Sequence, residues 1–241
     1  MSLTFKQLTV QYKTSEVPPP FSYKLRIICQ LVKEELLIEF EQVYTHRDEV
    51  DEEEILAEGF TGKDDFQWQG RLPEIWKKRL QEESENLQLE SNDSKIHLDL
   101  VTDEGKLSGQ PYDQSKWEYL VQELTQAIFE QSQKEMPLQM GVLYINEQKQ
   151  EKTQWLEFSF TQMKISDERG EYVMDWQPGR DLLQMIFMLD FDDPEVKKLN
   201  KPGYYLDPGD GYWYLLGRGA RNPHPQNDVQ SKIIERIKNF W

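Results

Sequence analysis

The sequence predicts an α+β fold in which antiparallel sheet packs against several helices. Every odd-numbered position from Phe21 to Leu31 is apolar, and this period of two is typical of a strand with one buried face. From Ser115 onward, apolar residues recur every three to four positions, as on one side of an amphipathic helix. Strands and helices do not alternate regularly, which favours antiparallel over parallel pairing.

The bulk composition excludes several classes of protein. The chain has 241 residues, with 28 Lys and Arg against 44 Asp and Glu, so its net charge at pH 7 is −16. Because proteins that bind nucleic acid must neutralise phosphates, this acidity argues against nucleic acid as a partner. No apolar run reaches the roughly 18 residues that span a bilayer, so we expect no membrane partner. Cys29 is the only cysteine, which excludes an intrachain disulfide.

The charge is spread unevenly along the chain. Residues 1–33 hold five basic residues and one acidic residue, whereas residues 34–104 hold 7 basic and 22 acidic residues. The acidic stretch predicts either a face that meets a basic partner or a solvated surface that keeps the protein soluble. The solvated surface is the more common of the two.

Length and targeting signals set further expectations. A chain of this length forms one large domain or two small ones. We expect a single compact unit over residues 1–241, with a possible boundary near residues 105–113, where Gly105, Gly109 and Pro111 cluster. The N-terminal residues lack the basic start and apolar core of a signal peptide, and we find no lipidation motif. The expected location is therefore cytoplasmic.

The first half of the chain predicts a hairpin, a further strand and several helices. A second alternation over residues 36–44 follows the first after a short link, which indicates a β-hairpin. Residues 3–12 change apolar phase, which predicts a strand with a bulge. Residues 51–58 and 73–87 predict helices, and residues 96–100 predict a strand. Ser115 and Glu118 match a capping box, so we expect a helix from Ser115 to about Gln133.

The second half is less regular. We predict strands at 138–145, 154–160 and 172–176, and a helix that begins at Asn227 or Asp228. Residues 202–216 predict a hairpin with its turn at 207–211. The almost unbroken apolar run within residues 181–189 favours a buried helix, with a buried strand as the alternative.

Motifs that would define an enzyme are missing. The sequence has no Gly-rich phosphate loop, dinucleotide-binding fingerprint, zinc-protease motif or nucleophile elbow, and we expect no cofactor. Cys29 falls on the apolar phase of its strand and is expected to be a buried hydrophobe.

Two segments are candidates for partner binding. Phe66, Trp68 and Arg71 lie at or beside a segment bounded by Gly62 and Gly70, where aromatic and polar side chains on a loop would suit a binding surface. The alternative is that the two aromatic side chains anchor the loop onto the core. The second segment carries Tyr212, Trp213, Arg218 and Arg221, whose arginines suit a carboxylate or phosphate. Alternatively, these arginines pair with the protein's own acids.

An aspartate cluster supports a rival hypothesis. Asp190, Asp192 and Asp193 follow the apolar run and could bind Mg²⁺ or Ca²⁺, although capping of a helix is the simpler explanation. His97 and Asp99 should project from the same face of their strand. The leading function is therefore a non-catalytic module that binds a protein or a small anionic ligand. The alternative is a metal-assisted hydrolase that uses these aspartates, with His97 as general base.

Overall fold

A computed structural model describes residues 5–14, 17–33, 35–91, 95–192, 199, 201–222 and 228–238. Backbone contacts divide the chain into two compact units, Met1–Glu135 and Met136–Trp241. The possible boundary at residues 105–113 lies inside the first unit, and it contains a strand. Whether the units unfold together, as the single unit predicted from the sequence would, stays a prediction.

Seven strands and three α-helices are described in the first unit. They are β1 (Phe5–Lys13), β2 (Tyr23–Val32), β3 (Glu35–Tyr44), α1 (Glu52–Ala57), β4 (Phe66–Leu72), α2 (Glu74–Glu85), β5 (Leu89–Glu90), β6 (Ile96–Thr102), β7 (Lys106–Pro111) and α3 (Gln114–Gln131).

The strands of the first unit form one antiparallel sheet in the order β4-β3-β2-β1-β6-β7-β5. Val10 lies opposite Ile27 on β2 and Leu98 on β6, and Ile27 lies opposite Phe40 on β3. All four side chains are buried. Directly opposed residues share a face, so one face of the sheet carries the core across four strands. The bulge predicted in β1 is confirmed, because the register shifts between Phe5 and Gln7.

Helix α3 packs on the apolar face of this sheet. The ring of Phe129 lies 5.8 Å from the ring of Phe40 and 5.6 Å from the ring of Phe66. The predicted apolar stripe is buried along its whole length, at Trp117, Leu120, Val121, Leu124, Ala127 and Ile128. The predicted cap at Ser115 is wrong, because Asp113 accepts a hydrogen bond from the Lys116 N–H at 3.0 Å. A carboxylate two residues earlier satisfies the free N–H group instead.

The strands of this sheet that the sequence did not predict include β4 and β7. The residues expected in a loop at 66–70 belong to β4, the edge strand. Their apolar phase contains Gly70, which interrupts the alternation that marks a strand. Strand β7 was not predicted either, because its sequence Lys-Leu-Ser-Gly-Gln-Pro has no alternation of apolar and polar residues.

The second unit also combines strands with helices. Its described elements are β8 (Leu138–Ile145), β9 (Glu151–Ser159), β10 (Lys164–Ser166), β11 (Tyr172–Met174), α4 (Trp176–Phe187), β12 (Asp190–Phe191), β13 (Gly203–Asp207), β14 (Tyr214–Leu215), β15 (Ala220–Arg221) and α5 (Val229–Ile237).

Six of these strands form an antiparallel sheet in the order β11-β10-β9-β8-β13-β14, and β12 pairs with β15. The apolar run predicted as either helix or strand lies mostly in α4, which begins earlier than expected, at Trp176. Gly179 lets this helix approach β10 closely, since an added Cβ there would meet Cδ1 of Ile165 at 1.6 Å. The buried core of this unit includes Phe158, Leu182 and Ile233.

The predicted hairpin and the predicted final helix of the second unit are both observed. β13 and β14 pair as the expected hairpin, and Asp207 in its turn accepts hydrogen bonds from the N–H groups of Gly209 and Gly211. Asp228 caps α5 by accepting from the Ser231 N–H. Asp193 and Asn227 lie outside the described residues.

The predicted α+β class is confirmed in its coarse form. Antiparallel sheets combine with five described α-helices, and strand residues outnumber helical ones. None of the helices in the described ranges has the length and hydropathy that a membrane crossing requires.

Neighbouring residues of β2 provide a test of the two-faced sheet. Ile27 is fully buried, whereas Ile28 on the opposite face is partly exposed. Ile27→Ala should lower the free energy of unfolding by about 2–5 kcal/mol, because it leaves a cavity in the core. Ile28→Ala should cost less than half as much. Urea unfolding measures both, and equal losses would contradict the assignment of the two faces.

Candidate functional site

The second face of the seven-stranded sheet is polar and partly open to solvent. The register places His97, Gln11, Arg26 and Glu41 in one row across β6, β1, β2 and β3. Each is partly or fully exposed, in contrast to the buried residues that alternate with them. An antiparallel sheet commonly buries one face and leaves the other in water.

A groove of about 570 Å³ lies at one end of this open face. Its lining includes Lys13, Lys24, Arg26 and Lys95, together with the carboxylate of Glu41. Four cationic side chains therefore surround one acidic side chain, in a chain whose net charge is −16. We call this feature the cationic groove.

Three of these four cations form no ion pair among the described residues, although Glu41 lies opposite Arg26 on β3. Lys95 lies 3.6 Å from a carboxylate oxygen of Glu118. Lys13, Lys24 and Arg26 have no ion pair within 4.0 Å in the part of the chain that the structure describes. Like charges this close repel one another, and an anion placed between them would relieve that repulsion.

A second depression, of about 420 Å³, adjoins the cationic groove. Both depressions are lined by Arg26 and Glu41, and the second extends to Gln67 and Gln69 of β4. The amide of Gln67 donates a hydrogen bond of 2.8 Å to Glu41, which orients the carboxylate. Charged and amide groups therefore continue from the groove to the edge of the sheet.

His97 and Asp99 share the open face, as the sequence predicts. His97 Nε2 lies 3.1 Å from the hydroxyl oxygen of Ser108 and 4.0 Å from a carboxylate oxygen of Asp99. A catalytic triad instead needs the carboxylate on the opposite ring nitrogen, where it orients the imidazole. The three side chains therefore lie together without the geometry of an activated serine.

The first predicted binding segment divides between the two faces of the sheet. Phe66 packs against Phe40 and Phe129, so it anchors β4 on the core. Trp68 is in phase with Phe66, and its ring lies over Gly70, where an added Cβ would approach the ring to 2.2 Å. Arg71 faces the open side and lies 3.2 Å from Glu35. The predicted convergence of these three side chains is not observed.

The acids next to this segment have structural partners. Asp64 forms an ion pair with Arg47, whose guanidinium lies 3.6 Å from the centre of the Tyr44 ring. A carboxylate oxygen of Asp65 accepts a hydrogen bond from the Tyr44 N–H. These contacts fasten the connection between β3 and β4, so the acids hold the chain in place.

The second predicted segment lies in the second unit. Trp213 packs against Trp155 at 5.5 Å and covers Gly141, whereas Tyr212 and the side chain of Arg218 are exposed. Arg221 forms an ion pair with Asp192. Arg221 therefore pairs with one of the protein's own acids, as the alternative prediction stated. The binding role of this segment stays a prediction.

The same ion pair bears on the aspartate cluster. Arg221 neutralises Asp192, while Asp190 is exposed on β12 and Asp193 lies outside the described residues. Among the residues with described positions, no group of three His, Cys, Asp or Glu side chains could hold a metal ion. The hydrolase hypothesis has gained no support from the described aspartates.

Sequence reasoning missed Lys13, Lys24 and Arg26. The basic excess of residues 1–33 was the signal, and two of these cations occupy the polar phase of the strand predicted at 21–31. The sequence does not show which strands are neighbours, and only the order of strands in the sheet brings these cations together.

Comparisons of the chain with protein families, with curated proteins and with solved structures find no match.

The reactivity of the Cys29 thiol tests whether the apolar face of the sheet is covered. It is fully buried, and this burial raises the pKa of its thiol to about 12. Because the thiolate is the reactive form, we expect no alkylation by iodoacetamide at pH 8.5, where an exposed thiol is about half ionised. Cys29 should react readily in urea. Mass spectrometry measures both, and rapid alkylation in native buffer would contradict the structure.

Proposed function

We propose that this chain is a non-catalytic binding module and that its cationic groove takes a small anionic ligand. The observation that carries the proposal is the cluster of Lys13, Lys24 and Arg26, which have no ion pair within the described residues. In a chain with 44 acidic residues, three adjacent cations that form no ion pair among the described residues, with only Glu41 as an acid in the groove lining, form an unusual surface. A bound anion would supply the missing negative charge.

The dimensions and chemistry of the groove suit a small molecule. Its volume of about 570 Å³ falls within the range of about 300–1,000 Å³ that is typical of ligand sites. Arg26 offers a planar guanidinium that can bind a carboxylate or phosphate through two hydrogen bonds. Lys13 and Lys24 add ammonium charges, and Glu41 would favour a ligand that carries a donor beside its acidic group.

The geometry around His97 supports binding over catalysis. Both the Ser108 hydroxyl and the Asp99 carboxylate approach the same ring nitrogen. A serine activated by histidine would need these two groups on different nitrogens. We retain the cytoplasm as the proposed location, on the sequence grounds given above.

Binding roles for the other two predicted segments stay proposals, secondary to the cationic groove. Arg71 could extend the ligand surface from the adjoining depression, because it is exposed on the same face. A protein partner for the segment from Tyr212 to Arg221 would have to displace Asp192 from Arg221 to use that guanidinium.

Anion binding can be measured by thermal melting of the full chain at low salt with inorganic phosphate, pyrophosphate and citrate. We expect at least one anion to raise the Tm by several degrees, because it binds only the folded state. Lys24→Ala and Arg26→Ala should abolish the shift. Lys106→Ala is the matched control, because Lys106 is exposed on the same face but does not line the groove.

Two outcomes would overturn the assignment. One is that none of the three anions changes the Tm of the unmodified chain. The other is that Lys106→Ala loses the shift as fully as Arg26→Ala does. Raising the salt concentration should weaken genuine binding, because the attraction between exposed charges is screened.

The hydrolase alternative makes an opposite prediction for metals. We expect Mg²⁺, Mn²⁺ and Ca²⁺ to leave the Tm unchanged, because the Asp192 carboxylate is already paired with Arg221. The same melting experiment measures this. A specific rise of several degrees with one cation, lost in Asp192→Ala, would favour the hydrolase.

A further inference from the structure

Strand β4 forms one edge of the seven-stranded sheet. Its seven residues pair with β3 on one side, and no described strand pairs with the other side. An edge strand of this length presents a row of backbone N–H and C=O groups that a further strand can bind. The identity of the outward residues follows from the hydrogen-bond phase.

A hydrogen bond at the end of β3 shows which residues of that strand direct their backbone N–H and C=O groups toward β2. The Thr45 N–H donates to the Ser22 carbonyl at 2.9 Å, so odd-numbered residues of β3 direct their backbone groups toward β2. Even-numbered residues therefore face β4, where Phe40 pairs with Trp68 and Ile38 with Gly70. It follows that the backbone N–H and C=O groups of Gln67, Gln69 and Arg71 point away from the sheet.

Most of this edge lacks the usual protection against further pairing. Natural edges carry proline, charged side chains or bulges that prevent another strand from adding. The segment Phe66–Gly70 contains neither proline nor charge, and the register of the strand with β3 is continuous, whereas Arg71 near its end is charged and Pro73 follows the strand. The side chains of Gln67, Gln69 and Arg71 are exposed.

We infer that β4 is a self-association edge, at which a second copy of this chain adds its own β4 in antiparallel orientation. The two-fold axis passes through Gln69, which then pairs with Gln69 of the second copy. Gln67 pairs with Arg71 of the second copy, and Arg71 with Gln67. All three pairs join residues whose backbone groups point outward, and each pair can exchange two hydrogen bonds.

The side chains of β4 are self-complementary in this register. On the covered side, Phe66 lies opposite Leu72 of the second copy, and Trp68 lies opposite Gly70. Gly70 is the position over which the Trp68 ring already lies in its own strand. Each indole ring therefore lies opposite the Cβ of Trp68 in the other copy, and the two rings are diagonal neighbours across the seam. On the open side, the amides of Gln69 meet, and no like charges are opposed.

The small buried area and the net charge of the chain both limit the strength of this association. One pair of seven-residue strands buries less than the roughly 1,200 Å² of a stable interface, so the dimer forms only at high concentration. The net charge of −16 on each copy opposes association at long range. Salt screens that repulsion, since the Debye length falls to about 3 Å at 1 M. The dimer should therefore strengthen as salt is added.

The decisive experiment uses two cysteine variants of the full chain under mild oxidation by oxidised glutathione. Gln69→Cys should give a disulfide-linked dimer, because the axis places the two thiols within bonding range. Gln67→Cys is the matched control. Its counterpart lies four residues along the strand, about 13 Å away, so a disulfide should not form. Buried Cys29 does not compete in either variant.

Sedimentation equilibrium up to near-millimolar concentration, with and without 1 M salt, measures the association itself. Gln69→Pro should remain monomeric, because it removes the N–H at the axis while proline is tolerated on an edge. Gln69→Thr keeps that N–H and should still dimerise. If Gln69→Pro fails to fold, Gln69→Lys replaces it by opposing two like charges.

The inference fails if the unmodified chain stays monomeric at the highest concentration in 1 M salt. It also fails if Gln67→Cys cross-links as efficiently as Gln69→Cys, because association would then lack the proposed register. Neither outcome bears on the cationic groove, whose occupancy is measured separately by melting.

Discussion

Everything in the first unit depends on the common register of β1, β2, β3 and β6. Because opposed residues share a face, the row through Val10 and Ile27 places apolar side chains on the face that α3 covers, across four strands of the sheet. The same register collects the polar residues on the other face. A slip of one residue in any strand would exchange its two faces, so the buried core and the cationic groove depend on one constraint.

The electrostatics of the groove are a consequence of that alignment. Lys13 and Lys24 lie directly opposite each other on neighbouring strands, and Arg26 lies two residues along β2. Like charges placed opposite one another destabilise a sheet by a few tenths of a kcal/mol or more. Lys13 and Lys24 form no ion pair with a described acid, and Arg26 has only Glu41 opposite it, so we propose a bound anion as the group that relieves this repulsion. Of the acids in residues 34–104, Glu41 lines the groove, whereas others lie elsewhere, as Asp64 does with Arg47.

Strand β4 brings several features together. Its even-numbered side chains face the core, its odd-numbered side chains join the open face, and the backbone of those odd-numbered residues forms an edge with which no described strand pairs. Gly70 belongs to the apolar phase because the Trp68 ring occupies the space where a side chain would lie. A glycine that weakens the strand signal in the sequence thus makes room for an indole ring in the structure.

Sequence alone determined the local elements wherever periodicity was strong, because burial on one side leaves a direct imprint on residue order. The hairpin of β2 and β3, the stripe of α3 from Trp117 to Ile128 and the burial of Cys29 were all accessible in this way. Tertiary structure decided which strands are neighbours, and so which polar side chains meet. Lys13, Lys24 and Lys95 come from three different strands or their ends, and Phe66 and Arg71 lie on opposite faces of one strand. Periodicity reports the environment of each residue, whereas the groove, the ion pair of Arg221 with Asp192 and the free edge of β4 depend on long-range pairing.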